Sequence, residues 1–180
     1  MSHVDKAENF LENESNHFLD ENFKFELINE KHSDDIIKWR NNSSISSLMF
    51  NKKKLDKTTQ NQFLNNYKNL DRIDFILIHS PNNKAIGSFS ISNISSSTPE
   101  IGKLLGEESF RGKGIAYKST KALLYFSFNY LKIEKIFAKT LKNNSINLHL
   151  NKKLGFEIIK EEEIDGKPFI VMEIKKSVDN

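Results

Sequence analysis

The 180-residue sequence contains no cysteine. Disulfides, thiolate nucleophiles, zinc–thiolate sites and iron–sulfur clusters are therefore excluded. The five histidines show no metal-ligand spacing, so no metal is expected. No stretch reaches the roughly 18 apolar residues that a membrane helix needs. The N-terminal MSHVDKAENFLENESNHF lacks the basic-then-apolar pattern of a secretory signal. A soluble, cytoplasmic protein without a membrane partner is expected. Charge of one sign is also scarce, with 27 Lys and Arg against 24 Asp and Glu and a net +3. That bias is too weak to indicate a nucleic-acid partner, although it would not repel an anionic cofactor. The basic run Lys52-Lys53-Lys54 reads as a solvated loop.

Glycine is scarce too, and unevenly spread. Five of the seven (Gly87, Gly102, Gly106, Gly112 and Gly114) fall between positions 87 and 114. Apolar residues are not scarce: they make up 37% of the chain and include 14 Phe, enough for one packed domain. Residues 1–21 read as a polar tail or a short docking helix, and residues 22–180 as the domain.

Hydrophobic periodicity predicts the elements of that domain. Phe23, Phe25 and Leu27 alternate with polar residues as a half-buried strand. Ser33-Asp34-Asp35 starts a helix through IIKWRN, broken at Asn41-Asn42-Ser43-Ser44. Thr58 or Thr59 caps a second helix over 58–69. FILI (75–78) and AIGSFSISNI (85–94) flank a Pro81-Asn82-Asn83 turn as a hairpin, with Ile86, Ser88, Ser90 and Ser92 on one face. EIGKLLG (100–106) is a third strand of this meander. Ile115, Ser119, Ala122, Leu123, Phe126 and Tyr130 recur at helical spacing. A strand at 135–141, a short helix from Asn143-Asn144-Ser145 to Leu154-Gly155, and a closing hairpin about Asp165-Gly166 follow. The order β-α-α-β-β-β-α-β-α-β-β describes an α/β domain with a mixed, mostly antiparallel sheet flanked by helices.

The segment SFRGKGIAYKS (109–119) joins a strand, a G-x-G loop and a helix N-terminus. The first helical N–H groups lack intrahelical partners, and glycine lets an anion approach the backbone. A P-loop requires G-x-x-x-x-G-K-[ST], which G-K-G-I-A-Y does not satisfy. A dinucleotide fingerprint requires a third glycine, where this chain has Tyr117, and a parallel βαβ unit. Shaping a tight helix entry is the simpler use of the two glycines.

Arg111-Gly112-Lys113-Gly114-Ile115-Ala116 also fits R/Q-x-x-G-x-G/A, and it follows EIGKLLGEESF. Asn144-Ser145-Ile146-Asn147 and Asn151-Lys152-Lys153-Leu154-Gly155-Phe156 come after it in order. These segments resemble the GNAT superfamily of N-acetyltransferases over roughly residues 22–175. The resemblance is closest to the branch of ribosomal-protein N-terminal and nucleotide-linked amino-sugar acetyltransferases. It implies a single-domain GNAT fold and acetyl-CoA as cosubstrate. Backbone amides from Arg111 to Ala116 would take the pyrophosphate, with Arg111 and Lys113 adding charge.

The resemblance further implies a bulged strand 100–106 that splays from its neighbour, so that the backbone of Lys103, Leu104 and Leu105 lies along the cofactor arm. The amide of Leu104 or Leu105 would be the oxyanion donor. Asn144 would hold the arm. Many relatives carry a tyrosine general acid where this chain has Asn151, so a water relayed through Asn151, or departure of the thiolate without direct protonation, would take its place. Glu100 is the candidate general base, with a structural strand-end carboxylate as the simpler alternative.

The segment IIKWRNNSSISSLMF would line the acceptor pocket. Its W-R-N box and Met49-Phe50 resemble the amino-sugar enzymes of bacterial surface-glycan biosynthesis. There Trp39 would stack on a base or sugar and Arg40 would meet a phosphate, with Met49 and Ser88 nearby. A core tryptophan and a surface arginine are the alternative. The acceptor is then a small-molecule amine on a nucleotide-linked sugar, a protein N-terminus being the second reading and a non-catalytic acetyl-CoA-binding module the third. Family members are often dimers, so a monomer or a homodimer is expected.

Overall fold

The computed structural model describes residues 1–49 and 53–177. Six α-helices and seven strands are present among them: α1 (His3–Asn13), β1 (Phe23–Leu27), α2 (Ser33–Asn41), α3 (Ser43–Ser46), α4 (Lys57–Asn65), β2 (Arg72–His79), β3 (Lys84–Ser92), β4 (Glu100–Leu105), α5 (Ile115–Asn129), β5 (Lys135–Leu141), α6 (Ser145–Lys153), β6 (Glu157–Ile164) and β7 (Lys167–Lys175). No helix among the described residues is long and apolar enough to cross a membrane. The strands form one sheet in the order β1-β2-β3-β4-β5-β7-β6. Every neighbouring pair is antiparallel except β4 and β5. The α/β single-domain architecture expected from the sequence is the one observed.

The continuous apolar run on β2 has a direct cause. Its odd residues Ile73, Phe75 and Leu77 join the larger core with α1 and α5, while Ile76 and Ile78 join a second core with Ile36, Trp39 and Ile45. Both faces of the strand are covered, which accounts for the unbroken apolar run from Phe75 to Ile78. On β3 the expected alternation fails at one place. The β2–β3 register shifts between Leu77 and Ile78, so that Gly87 and Ala85 oppose them and Ile86 is the extra residue. This bulge turns Ile86 into the core that holds Phe89 and Ile91, away from the face of Ser88, Ser90 and Ser92.

The N-terminal segment is a docked helix rather than a tail. Ser2 and Asp5 form a capping box, and Ala7 and Phe10 are 0% exposed. The Phe10 ring lies 5.3 Å from that of Phe126, 5.5 Å from Tyr130 and 5.8 Å from Phe75. Only the aromatic positions of a polar stretch carry this signal, which is why composition alone left it open. The cap of α4 is also corrected: Asp56, not Thr58 or Thr59, accepts from the Thr59 amide at 2.7 Å.

The feature that shapes the site is the parallel pair. β4 and β5 are in register only at Glu100↔Phe137, where the Phe137 amide donates to the Pro99 carbonyl at 2.8 Å. Beyond that point the strands diverge. The expected bulge in β4 is absent, since its ladder with β3 runs unbroken from Ser92↔Glu100 to Gly87↔Leu105. The opening comes from the lack of ladder bonds to β5, not from a kink in β4.

Phe10→Ala should lower the unfolding free energy by about 3–5 kcal/mol, as for other buried Phe truncations. Urea denaturation measures it, and a loss below about 1 kcal/mol would mean that α1 contributes little to the core.

Candidate active site

β4 divides the site into two faces. Ile101 and Leu105 pack on the α5 side, whereas Leu104 packs with Trp39 on the α2 side. Lys103 therefore shares the α5 face, and Glu100 and Gly102 share the α2 face. The backbone is divided too. The Gly106 amide donates to the Ile86 carbonyl at 2.9 Å, and the Gly87↔Leu105 register continues from it. In an antiparallel ladder the bonded residues alternate. The amides of Gly102 and Leu104 thus face β3, and those of Lys103 and Leu105 face the opening towards β5. Leu104 is removed as a candidate oxyanion donor because β3 takes its amide. The Leu105 amide is directed into the opening, and its carbonyl accepts from Arg111 Nε at 3.4 Å.

At one end of the opening lies the glycine loop. A 3-10 turn (Glu108–Phe110) leads to Arg111, and Gly114 is the N-cap of α5. Gly112 and Gly114 have φ of +75° and +76°, a region that L side chains avoid, and a Cβ at either would meet nothing within 4 Å. These glycines are there for backbone conformation and leave space over the loop. No side chain caps α5, so the amides of Ile115 and Ala116 remain available to an anion. Lys113 Nζ sits 5.6 Å from the centroid of the Phe110 ring, and Arg111 lies 3.9 Å from Glu108. Both cations are exposed at the loop rim.

On the α5 face of the opening, three elements meet through polar side chains. Lys103 Nζ donates to Asn151 Oδ1 at 2.5 Å, Asn151 Nδ2 donates to Thr140 Oγ1 at 3.2 Å, and Asn147 Nδ2 donates to the same hydroxyl at 3.0 Å. Asn151 is 0% exposed with both polar atoms occupied. Where a water relay through Asn151 was expected, its side chain is held by Thr140 and accepts from Lys103. Burial pulls the Lys103 ammonium down to about 7. Asn144 caps α6, its Oδ1 accepting from the Asn147 amide at 3.2 Å.

On the α2 face is a cleft of about 260 Å³ lined by Leu48, Glu100, Lys139, Ile164 and Phe169. Burial pushes the Glu100 carboxyl up; Lys139 opposes the rise and Glu162 adds to it. Lys139 Nζ lies 3.8 Å from Glu100 and 3.6 Å from Glu162. A carboxyl raised by burial and opening on a cleft is chemically suited to accept a proton near neutral pH.

The residues expected for the acceptor are placed differently. Trp39 is 1% exposed, and its Nε1 donates to Glu107 Oε1 at 2.9 Å. A Cβ at Gly106 would come within 2.2 Å of its ring. With neither ring face open, Trp39 is a core residue and not a stacking platform. Met49 packs against the same core. Arg40 is half-buried with no partner for its Nε among the described residues, and it does not line the cleft. Ser88 is in register with Leu104 on the α2 face but outside the cleft lining. Phe50 and Lys52 lie outside the described residues. Leu48 belongs to the segment expected to line the acceptor pocket, whereas sequence reading missed Lys139, Ile164 and Phe169, which β5 and the β6–β7 hairpin bring to it. It also missed the Lys103 side chain, whose signal was a lone lysine on the apolar face of a strand.

Comparison with known proteins agrees with this geometry. The family model described as Acetyltransferase (GNAT) domain matches residues 23–157. An uncharacterized protein of Methanocaldococcus jannaschii is 33% identical over 93 residues, which are 51% of this chain and 19% of that protein. The matched segment thus spans only about a fifth of that relative's length. The crystal structure of spermidine N-acetyltransferase from Vibrio cholerae in complex with CoA and spermine superposes with a TM-score of 0.75 at 18% identity, covering 86% of this chain and 95% of that one. Ribosomal-protein-S5-alanine acetyltransferase from Vibrio fischeri gives 0.72 at 20% identity, covering 86% and 93%.

Glu107 ties these elements together, accepting from Trp39, from Lys38 at 2.8 Å and from Lys84 at 2.5 Å. Burial pushes its carboxyl up, but the three hydrogen bonds prevail and hold it at about 2. A depressed carboxyl contributes stability above its ordinary value of 4.5, lost as pH falls towards 2. Glu107→Gln should cost about 1–3 kcal/mol at neutral pH and flatten the stability loss across that acid window. Thermal unfolding against pH reads both effects.

Proposed function

Because the chain belongs to the GNAT acetyltransferase family, we propose that it moves the acetyl group of acetyl-CoA directly onto a primary amine held in the Glu100 cleft. The observation that carries this reading is the opening between β4 and β5, with the glycine loop at one end and the cleft on its α2 face. Acetyl-CoA supplies the acetyl group as a thioester. The amides of Gly112 to Ala116 bind its pyrophosphate, helped by Arg111 and Lys113. The amides of Lys103 and Leu105 line the arm, and the Leu105 amide faces the carbonyl oxygen. Asn144 Nδ2, left over from capping, is a further donor to the arm. Glu100 takes the proton that the acceptor amine loses. With no cysteine in the chain, a thiol acyl-enzyme cannot form, and the amine attacks the thioester in a ternary complex.

Leu48, Ile164 and Phe169 give the cleft apolar walls beside its carboxylate. They suit an amine on a partly apolar body, such as the 4-amino group of a nucleotide-linked deoxy sugar. CoA release from acetyl-CoA against a panel of such sugars, peptides with free N-termini, and spermidine tests this. Release with the nucleotide sugars alone is the expected result. Release with spermidine alone would assign the Glu100–Glu162 pair to a polycation, and release with peptides alone would make the acceptor a protein N-terminus. Tight acetyl-CoA binding with no release for any amine would make the chain a binding module.

Gly114→Asp should raise the Kd for acetyl-CoA at least about fivefold, since a carboxylate about 4 Å from phosphate costs of order 1–4 kcal/mol. Calorimetry showing normal affinity would remove the loop from the site. Glu100→Gln should lower kcat/KM by about 10²-fold or more. Its effect should be greatest where the carboxylate is ionised and should fade as pH falls and the buried carboxyl, raised above its ordinary value, takes up a proton; rates unchanged across pH would exclude Glu100 as the base.

A further inference from the structure

We propose that Lys103 is the acid that protonates the departing thiol sulfur, with Asn151 as its positioning residue. This rests on the acetyl-transfer reading above and adds the proton donor that the reading leaves unassigned.

The inference begins with a cost. Lys103 stands between Ile101 and Leu105 on the core face of β4, where a leucine or methionine would pack without desolvating a charge. An ammonium carries three N–H donors. Among the described residues only one finds an acceptor, Asn151 Oδ1, and no carboxylate pairs with Lys103. The groups facing it are Asn151 of α6, Thr140 of β5 and, in register on β3, Phe89. The charges of Glu100 and Lys139 lie on the opposite face, and His149, Lys152, Lys118 and Lys121 of α6 and α5 are exposed. Burial alone therefore sets the proton affinity of the amine, at about 7.

Asn151 cannot give up a proton, but it fixes where Lys103 keeps one. Thr140 holds the Asn151 amide group from one side, and Asn147 holds Thr140 in turn. Lys103 is thereby tethered beside the opening on the face opposite Glu100. An ammonium near 7 is a stronger acid than an ordinary thiol, whose value is about 8.5, so proton transfer from nitrogen to sulfur runs downhill. The acceptor nitrogen's lone pair forms the N–C bond, and the C–S bonding pair leaves on sulfur. Lys103 supplies the proton that makes the free thiol, and the proton lost by the nitrogen goes to Glu100. Solvent then reprotonates Lys103 and deprotonates Glu100.

Two variants and one spectroscopic measurement test the assignment. Lys103→Met should bind acetyl-CoA with wild-type affinity by calorimetry, yet lose about 10²-fold in kcat. At saturating acceptor, the descending high-pH limb of the wild-type kcat profile should vanish with it. Lys103→Arg keeps the charge and a donor to Asn151 but cannot release a proton in this range. It should therefore be as slow as Lys103→Met, whereas rescue by arginine would overturn the proposal. A raised Kd with unchanged kcat in Lys103→Met would also overturn it, making Lys103 a contact to the cofactor arm. So would stable acetylation of Lys103 itself, read by intact mass. NMR of isotope-labelled lysine side chains needs no turnover: one amine should titrate near 7 and be absent from Lys103→Met. A Lys103 amine titrating in the ordinary lysine range would overturn the proposal. An inactive wild type whose Lys103 still titrates near 7 would count against the acetyl-transfer reading, and with it the acid role.

Discussion

The site depends on hydrogen bonds that β4 and β5 do not make. Every other pair of neighbouring strands is zipped over several residues, whereas this one is in register only at Glu100↔Phe137. The amides of Lys103 and Leu105 consequently face an opening instead of a partner strand. Unpaired amides at the middle of a sheet would be costly if they served nothing. Here they line a slot that ends at the uncapped N-terminus of α5. The same two strands supply polar side chains on both faces, Glu100 and Lys139 on one and Lys103 and Thr140 on the other.

Charge is distributed across that slot with a consistent logic. Burial disfavours the charged form of whatever it covers. It raises the Glu100 carboxyl and lowers the Lys103 ammonium, bringing two groups of ordinarily very different proton affinity closer together on opposite faces. Glu107, only a few residues along the chain, is also pushed up by burial, but three donors overrule it and it stays low. Two glutamates thus diverge by environment: one is a structural anchor for α2, the other a half-buried carboxyl on the wall of a cleft.

Much of this was legible in the sequence. Periodicity located the seven strands because β2 and β3 feed cores on both faces and β4 feeds one on each side. The glycine loop was legible because its conformations need glycine. What was missed depended on three-dimensional closure. The bulge that turns Ile86 around follows from pairing with β2, not from the alternation of β3 itself. Trp39 read equally well as a stacking residue or a core residue until Gly106 brought the strand end against its ring. The cleft combines residues from four distant segments, and no local pattern announces such a meeting. Asn151 looked like a lost acid because the lysine that reaches it is 48 positions away.

A crystal structure with CoA bound would test the central claim most directly. The pyrophosphate should lie on the amides of Gly112 to Ala116, and the sulfur should lie in the opening between β4 and β5, near the Leu105 amide and Lys103 Nζ. The Glu100 cleft should open onto that sulfur from the opposite face. CoA bound elsewhere on the surface, or a closed β4–β5 ladder around an empty slot, would contradict it.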